Sequence, residues 1–559
     1  MITSIITSVG AAILTATPAL ASPTTANIVT EHYVCRNVKG VSALEGPQPD
    51  DKIIVDPMPE LPRETMVKTG WGYAITDAGN MMKLNSTGSV NMLVRDGSHI
   101  YISNPMSLIP VEGWLEGDIE GDKVTLKLPQ FVQQRIVESG VRPKTYNDYI
   151  VALDYGEDEE GGWYFPCPEQ TYVFTIRPDG TWIPEDESVL LGHCVWVDPK
   201  EYGVEDEPAQ WDWVGAGDLY TSLAPVTSTG IEAPAGLAFS PYNLIYNNIY
   251  KGVEVAFDGE DVYFKGMCTF DPSLADALIK GRLADGKITL PTGQYFGVSQ
   301  EYLNVIYFMA GDSQLVKDED GRQYRKFDMT EALVYNYDPE KKMMTTEDDY
   351  CMSVTMSEPY YYDFVLDGCL READPNLKPE QLLAPIHWGF YPQNDEYGLP
   401  NQIEFIIPQV SADLVPLDTN HIFYQVFVDN NLFEFLPDEY LMLTEPMTEV
   451  PFGFSDDWDF YGQGALQYVY INPFDVESIA VRTLYHNLDG TVTYSPKLWF
   501  LGEDPNSGAL SIAGETSEAV STEWFDLTGR RLSGPAKGIM LRADRLSDGS
   551  LRTSKIAIP

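Results

Sequence analysis

A chain of 559 residues is longer than one hydrophobic core organises, and a hydrophobic content of 44% excludes a globally disordered polymer. Its 36 basic side chains stand against 84 acidic ones, a net charge of −48. Such a chain repels phosphate backbones, which excludes nucleic acid as a partner. Aromatic residues make up 12%, led by 33 Tyr; with 45 Gly and 39 Pro they favour strands and turns over helices. The expected fold class is all-β, as tandem β-sandwich-like domains.

Residues 1–30 carry no charged side chain, and the apolar run Ile5 to Leu20 ends in Ala19-Leu20-Ala21. That small-x-small pattern predicts a signal peptide over 1–21, although no Lys or Arg precedes the run, and hence a secreted or surface location. No later stretch is apolar enough to span a membrane. Residues 22–63 follow as an extended lead-in, Pro- and Asp-rich from Leu44 to Pro62.

Two β domains over 64–225 and 236–372 read as an internal duplication. Val94-Arg95-Asp96-Gly97-Ser98-His99-Ile100-Tyr101-Ile102 matches Ala256-Phe257-Asp258-Gly259-Glu260-Asp261-Val262-Tyr263-Phe264. Two further matches follow in the same order: Lys123-Val124-Thr125-Leu126 with Lys287-Ile288-Thr289-Leu290, and Tyr172 to Pro178 with Leu333 to Pro339. Gly97, Gly259 and Asp285-Gly286 sit between alternating apolar runs, where a tight hairpin needs positive φ. The period is far too long for a solenoid or propeller. Pro225 to Gly230 reads as a linker. Residues 385–501 hold several short strands without Cys and predict an immunoglobulin- or fibronectin-like sandwich. Residues 502–523 read as a flexible linker. A short β segment over 524–559 closes the chain, net positive where the body is acidic.

That last segment carries Trp524-Phe525-Asp526-Leu527-Thr528-Gly529-Arg530, then Gly538-Ile539-Met540-Leu541 and Lys555-Ile556-Ala557-Ile558. It resembles the C-terminal sorting domains of exported Bacteroidetes proteins. The resemblance implies that Phe525, Asp526, Leu527, Gly529, Arg530 and Gly538 form a sorting motif, and that the type IX secretion machinery is a partner. The segment is short, and Met540 stands where the family has an aromatic. More loosely, the body resembles uncharacterised tandem β domains of large exported proteins in that group.

No nucleophile elbow, zincin helix, P-loop or dinucleotide fingerprint occurs, so no catalytic residue is nominated. The six His are scattered, and His193 beside Cys194 on a strand would point to the opposite face, which gives no metal site. The six Cys form no C-x-x-C pair; export would permit disulfides, and buried free thiols fit equally well. Asp318-Glu319-Asp320-Gly321 and Glu157-Asp158-Glu159-Glu160-Gly161 are similar to calcium loops but lack the spaced acids and terminal Glu of an EF-hand, leaving Ca²⁺ only weakly supported. Trp211 and Trp213, after an acidic loop, are the speculative ligand-binding residues: exposed rings beside carboxylates stack on sugars. The expected function is non-catalytic adhesion or ligand binding, to a surface glycan or a protein; the alternative is a glycan-processing accessory or hydrolase.

Overall fold

The structure, a computed structural model, describes residues 40, 42 and 44–503 apart from 49–50, 76–80, 108–110, 138–143, 159–160, 203–206, 318–322, 356–360, 395–398, 457 and 473–474. Toward the C-terminus it describes residues 519–525, 531–532, 538–546 and 551–558. The expected signal peptide, much of the lead-in, most of the 502–523 linker and the loop Asp318 to Gly321 lie outside the described residues. The fold is all-β, built of tandem antiparallel units.

The first unit opens with β1 (Arg63–Ile75), β2 (Met81–Asn85), β3 (Val90–Asp96), β4 (His99–Ile102), β5 (Leu115–Glu120) and β6 (Lys123–Lys127). It continues with β7 (Gln130–Val137), β8 (Lys144–Asp158), β9 (Gly161–Pro166), β10 (Thr171–Ile176), β11 (Trp182–Pro184), β12 (Leu190–Val197) and β13 (Gln210–Pro225). The β3–β4 and β5–β6 turns use Gly97 at φ 62° and Gly121 at φ 66°. Along β6, Val124 and Leu126 are buried between exposed Lys123 and Lys127, the period-2 pattern of a strand with one wet face. Strands β1, β3, β4, β5, β6, β10, β11 and β13 follow one another, and β1 pairs with β13, so the ring closes. Leu93, Ile100, Leu115, Phe174 and Trp182 fill it. The long β13 then runs out of the ring into a second sheet with β12, β8, β7 and β9.

The second unit repeats this plan. Its strands are β14 (Ser240–Tyr246), β15 (Ile249–Asp258), β16 (Asp261–Lys265), β17 (Leu278–Ala284), β18 (Lys287–Pro291) and β19 (Gln294–Val298). After them come β20 (Val305–Lys317), β21 (Gln323–Met329), β22 (Ala332–Asp338), β23 (Met343–Thr345), β24 (Asp349–Ser353), β25 (Tyr361–Val365) and β26 (Cys369–Glu372). Strands β14 to β18, β22, β23 and β26 close a barrel, and β19, β20, β24, β25 and β21 form the side sheet. The matched sequence blocks occupy equivalent strands in equivalent register: Leu126 pairs with Tyr172, and Leu290 with Leu333. One side chain repeats a whole hydrogen-bond pattern. Gln130 Oε1 accepts from Glu116 N at 2.8 Å, and its Nε2 donates to the Glu116 and Lys127 carbonyls. Gln294 does the same with Lys280 N at 2.7 Å and the Lys280 and Pro291 carbonyls. The units differ at the last strand, which is continuous in β13 but interrupted between β25 and β26, where Asp367 takes φ 47°.

The third unit is a two-sheet sandwich. Its strands are β27 (Ile386–Tyr391), β28 (Asn401–Ile406), β29 (Ile422–Val428), β30 (Asn431–Leu432), β31 (Val450–Pro451), β32 (Phe460–Gln463), β33 (Leu466–Ile471), β34 (Ile479–His486), β35 (Val492–Tyr494) and β36 (Leu498–Leu501). A four-stranded sheet in the order β27-β28-β33-β32 packs on a sheet built around β29 and β34. Ile403, Phe405, Val469 and Phe460 from the first sheet meet Tyr424, Val426 and Val481 from the second. The C-terminal strands β37 (Ala519–Phe525), β38 (Arg531–Leu532), β39 (Gly538–Leu546) and β40 (Leu551–Ile558) form a separate four-stranded sheet. Cys167, Cys194, Cys268, Cys351 and Cys369 are free thiols, all but Cys167 buried, so the described residues hold no disulfide.

The glutamine clamps join each barrel to its side sheet by three hydrogen bonds apiece. Gln130→Ala and Gln294→Ala are each expected to lower unfolding free energy by about 1–3 kcal/mol, read by urea denaturation, while Gln130→Glu retains only the acceptor and falls between.

Candidate functional site

Trp211 is not exposed. It belongs to β13 rather than to a loop, retains 7% of its surface, and packs edge-on against Tyr149 (ring centroids 5.4 Å apart) and Trp196 (5.1 Å). The cause is a contact that local sequence does not contain. The lead-in crosses this sheet, Leu44 packs into the same cluster, and the Leu44 carbonyl accepts from Trp211 Nε1 at 3.4 Å. The expectation that Trp211 is an exposed ring is corrected accordingly. Trp213 pairs with Val195 in the same strand pair. In the sorting motif, Phe525 ends β37 and Gly538 starts β39, whereas Asp526, Leu527, Gly529 and Arg530 lie outside the described residues.

His193 and Cys194 do separate as neighbours on a strand must. Cys194 joins the cluster of Trp211, while His193 Nε2 lies 3.5 Å from Asp148, which also receives Arg135 Nη2 at 2.8 Å. Burial by itself would raise the Asp148 carboxyl, but the hydrogen bonds from His193 and Arg135 hold it below the usual range. A concavity of about 480 Å³ beside β10 is lined by Asp154, Cys167, Glu169, Glu185 and Asp186. Asp154 and Asp186 are tied to Ser188, and Glu185 to Thr175 and Lys123. Among the described residues, no three His, Cys, Asp or Glu side chains converge as a metal site.

The candidate site is the outer face of the four-stranded sheet in the third unit. Along β33, Leu466-Gln467-Tyr468-Val469-Tyr470-Ile471, Val469 and Ile471 enter the core, so Tyr468 and Tyr470 point out. The strand register sets their neighbours. Tyr391, Gln402 and Tyr470 form one row across β27, β28 and β33; Gly389, Glu404, Tyr468 and Tyr461 form the next, ending on β32. Tyr391 is 55% exposed and Tyr461 39%. A cleft of about 420 Å³ opens among Gln402, Ser455, Tyr461, Gly462, Gln463, Tyr468 and Tyr470.

Glycines make the face. A Cβ on Gly389 would meet Glu404 Oε2 at 2.7 Å, so glycine there lets the carboxylate lie across the neighbouring strand without shifting. A Cβ on Gly462 would stand 2.3 Å from the Gly453 backbone, so glycine there lets the 451–456 loop pack under β32 and present Ser455. Asp456 fixes the end of that loop: its Oδ1 accepts from the backbone N–H of Trp458, Asp459 and Phe460 at 2.9–3.0 Å. Trp458, held by this turn, is 69% exposed. Gln402 Nε2 donates to Glu404 Oε1 at 2.6 Å. Burial raises the Glu404 carboxyl above the ordinary carboxylate value, with the Gln402 hydrogen bond opposing it. Burial and then the nearby Glu404 likewise raise the Tyr468 hydroxyl. The face thus offers flat rings and the Gln402 amide, with the Glu404 carboxylate buried among them at 6% exposure, an arrangement that stacks on apolar sugar faces and hydrogen-bonds hydroxyls through the amide. The alternating Tyr of β33 was the available sequence signal; the rows they join depend on pairing with β28 and β32.

Trp211→Ala is expected to cost about 3–5 kcal/mol of stability and leave ligand binding by the folded fraction unchanged, measured by denaturation and binding on one preparation. Glu404, whose folded value lies above its unfolded one, binds protons preferentially in the fold. Its contribution is therefore fully present below the unfolded value and is lost as pH rises through the folded one. Glu404→Gln should flatten the fall in melting temperature that sets in as pH rises past the ordinary glutamate value. No family model and no curated protein matches the chain.

Proposed function

We propose that this protein is exported and acts non-catalytically, binding glycans at the outer surface of the cell or in its surroundings through the tyrosine face of its third unit. The observation that carries the reading is the double row of Tyr391, Tyr461, Tyr468 and Tyr470 around Gln402 and Glu404 on one solvent-facing sheet. A sandwich sheet facing water ordinarily bears short polar and charged side chains; aligned tyrosines there leave apolar area in water unless a ligand covers it. The cleft is shallow, which suits recognition along a chain more than enclosure of a small molecule. With −48 overall and Glu404 in the face, the protein repels sulfated and uronic polymers, so neutral or amino sugars are the ligand class. The short C-terminal sheet, reached through the sorting-like motif, is the part proposed to engage a type IX secretion system. A hydrolase reading would draw on Glu404 and Asp459, both raised by burial.

On a glycan array the protein is expected to retain neutral or amino-sugar oligosaccharides and release no reducing ends. Tyr468→Ala and Tyr461→Ala should each weaken binding about 3- to 10-fold, the worth of one stacked ring, with the melting temperature nearly unchanged. An array blank for neutral and amino sugars counts against the reading, and turnover favours the hydrolase.

A further inference from the structure

We propose that Lys68 and Asp218 are joined by an intramolecular amide bond that staples the first strand of the first barrel to its last. Lys68 lies on β1 and Asp218 on β13, the two strands whose pairing closes the ring. Both side chains are completely buried, with Lys68 Nζ in contact with Asp218 Oδ2. Nζ is also 3.1 Å from Ser107 Oγ and 4.1 Å from the centre of the Tyr220 ring. Asp218 Oδ2 accepts from Ser107 N at 2.8 Å and from Ser107 Oγ at 2.6 Å, whereas buried Oδ1 has no hydrogen-bond partner among the described residues.

The sister barrel shows that the fold does not need this pair. Lys68 stands opposite Leu223, and the equivalent residue of β14, opposite Leu370, is Leu244. The equivalence follows from the adjoining strand, where Trp182 faces Leu223 as Met344 faces Leu370. Leu244 is itself fully buried, so an apolar residue closes the same seam. A buried ion pair is commonly no more stabilising than the apolar packing that replaces it, and an orphaned carboxylate oxygen adds a further cost. Condensation removes both charges and the orphan together.

The chemistry balances within the pair. Burial lowers the Lys68 ammonium from its ordinary value, with Asp218 opposing, which eases loss of one proton to the carboxylate. The neutral amine then attacks Asp218 Cγ. Negative charge gathers on Oδ2, where the Ser107 N–H and hydroxyl already donate, in the manner of an oxyanion hole. The Nζ–Cγ bond forms, the Cγ–Oδ1 bond breaks, and Oδ1 departs as water with two amine protons, the first passed on from Oδ2, which Nζ touches, and the second taken from the nitrogen of the adduct, which keeps the third. The remaining carbonyl keeps both Ser107 hydrogen bonds. The bond would enclose residues 68–218 in a covalent loop, and it would resist reduction in a protein whose described cysteines are free.

The test is peptide mapping of the purified full-length protein by mass spectrometry after denaturation and reduction. The expected product is a branched peptide joining the Lys68 and Asp218 segments, lighter than their sum by one water, about 18 Da, with no tryptic cut after Lys68. It should be absent from Lys68→Met and Asp218→Ala. Linear peptides at full mass from the folded wild-type protein, with cleavage after Lys68, would show an ion pair only and overturn the proposal.

Discussion

A sheet ends in two rows of unpaired N–H and C=O groups, and a chain of this many strands must dispose of them. In each of the first two units the answer is the same backbone contact, the opening strand laid antiparallel against the closing one: β1 on β13, and β14 on β26. Everything else in those units depends on that seam. It makes the barrel interior a sealed core, sets the register that brings Lys68 to Asp218, and leaves the side sheet as the place where edges are still exposed. The lead-in covers the side sheet of the first unit by packing at Leu44, which is why Trp211 is buried.

The third unit solves the problem differently. Its two sheets bury one face each against the other, while Tyr391 and Tyr461 on the outer face of the four-stranded sheet stay exposed beside a small buried cluster of Ile406, Ala465 and Leu466. The tyrosine rows lie on one of those outer faces. Glycine at 389 and 462 is the local condition for that surface, one making room for a carboxylate and the other for a loop. On the proposed function, the closed barrels are scaffold and the open sheet of the third unit makes the contact.

The contrast between sister barrels adds a chemical dimension. Equivalent glutamines make equivalent hydrogen bonds in both, so those bonds belong to the architecture. Lys68 and Leu244 occupy one place with opposite chemistry, so the charge belongs to something else. Comparison within one chain separates what the fold requires from what has been added to it.

Much of the organisation was legible in the sequence because it is local. The positive-φ glycines at 97 and 259 mark hairpins, alternation in Lys123 to Lys127 marks a strand with one buried face, and repeated blocks mark a duplicated unit; each signal lies within a few residues. The sequence likewise held the even choice between thiol and disulfide, and the five described cysteines lie apart as free thiols. What only the tertiary structure decided is which distant residues share a surface. Trp211 followed an acidic loop and read as exposed, yet a segment more than a hundred residues earlier covers it. Tyr391, Tyr461 and Tyr468 are scattered in sequence, and cross-strand register alone sets them in one face, because strand pairing is a long-range contact that no local pattern encodes.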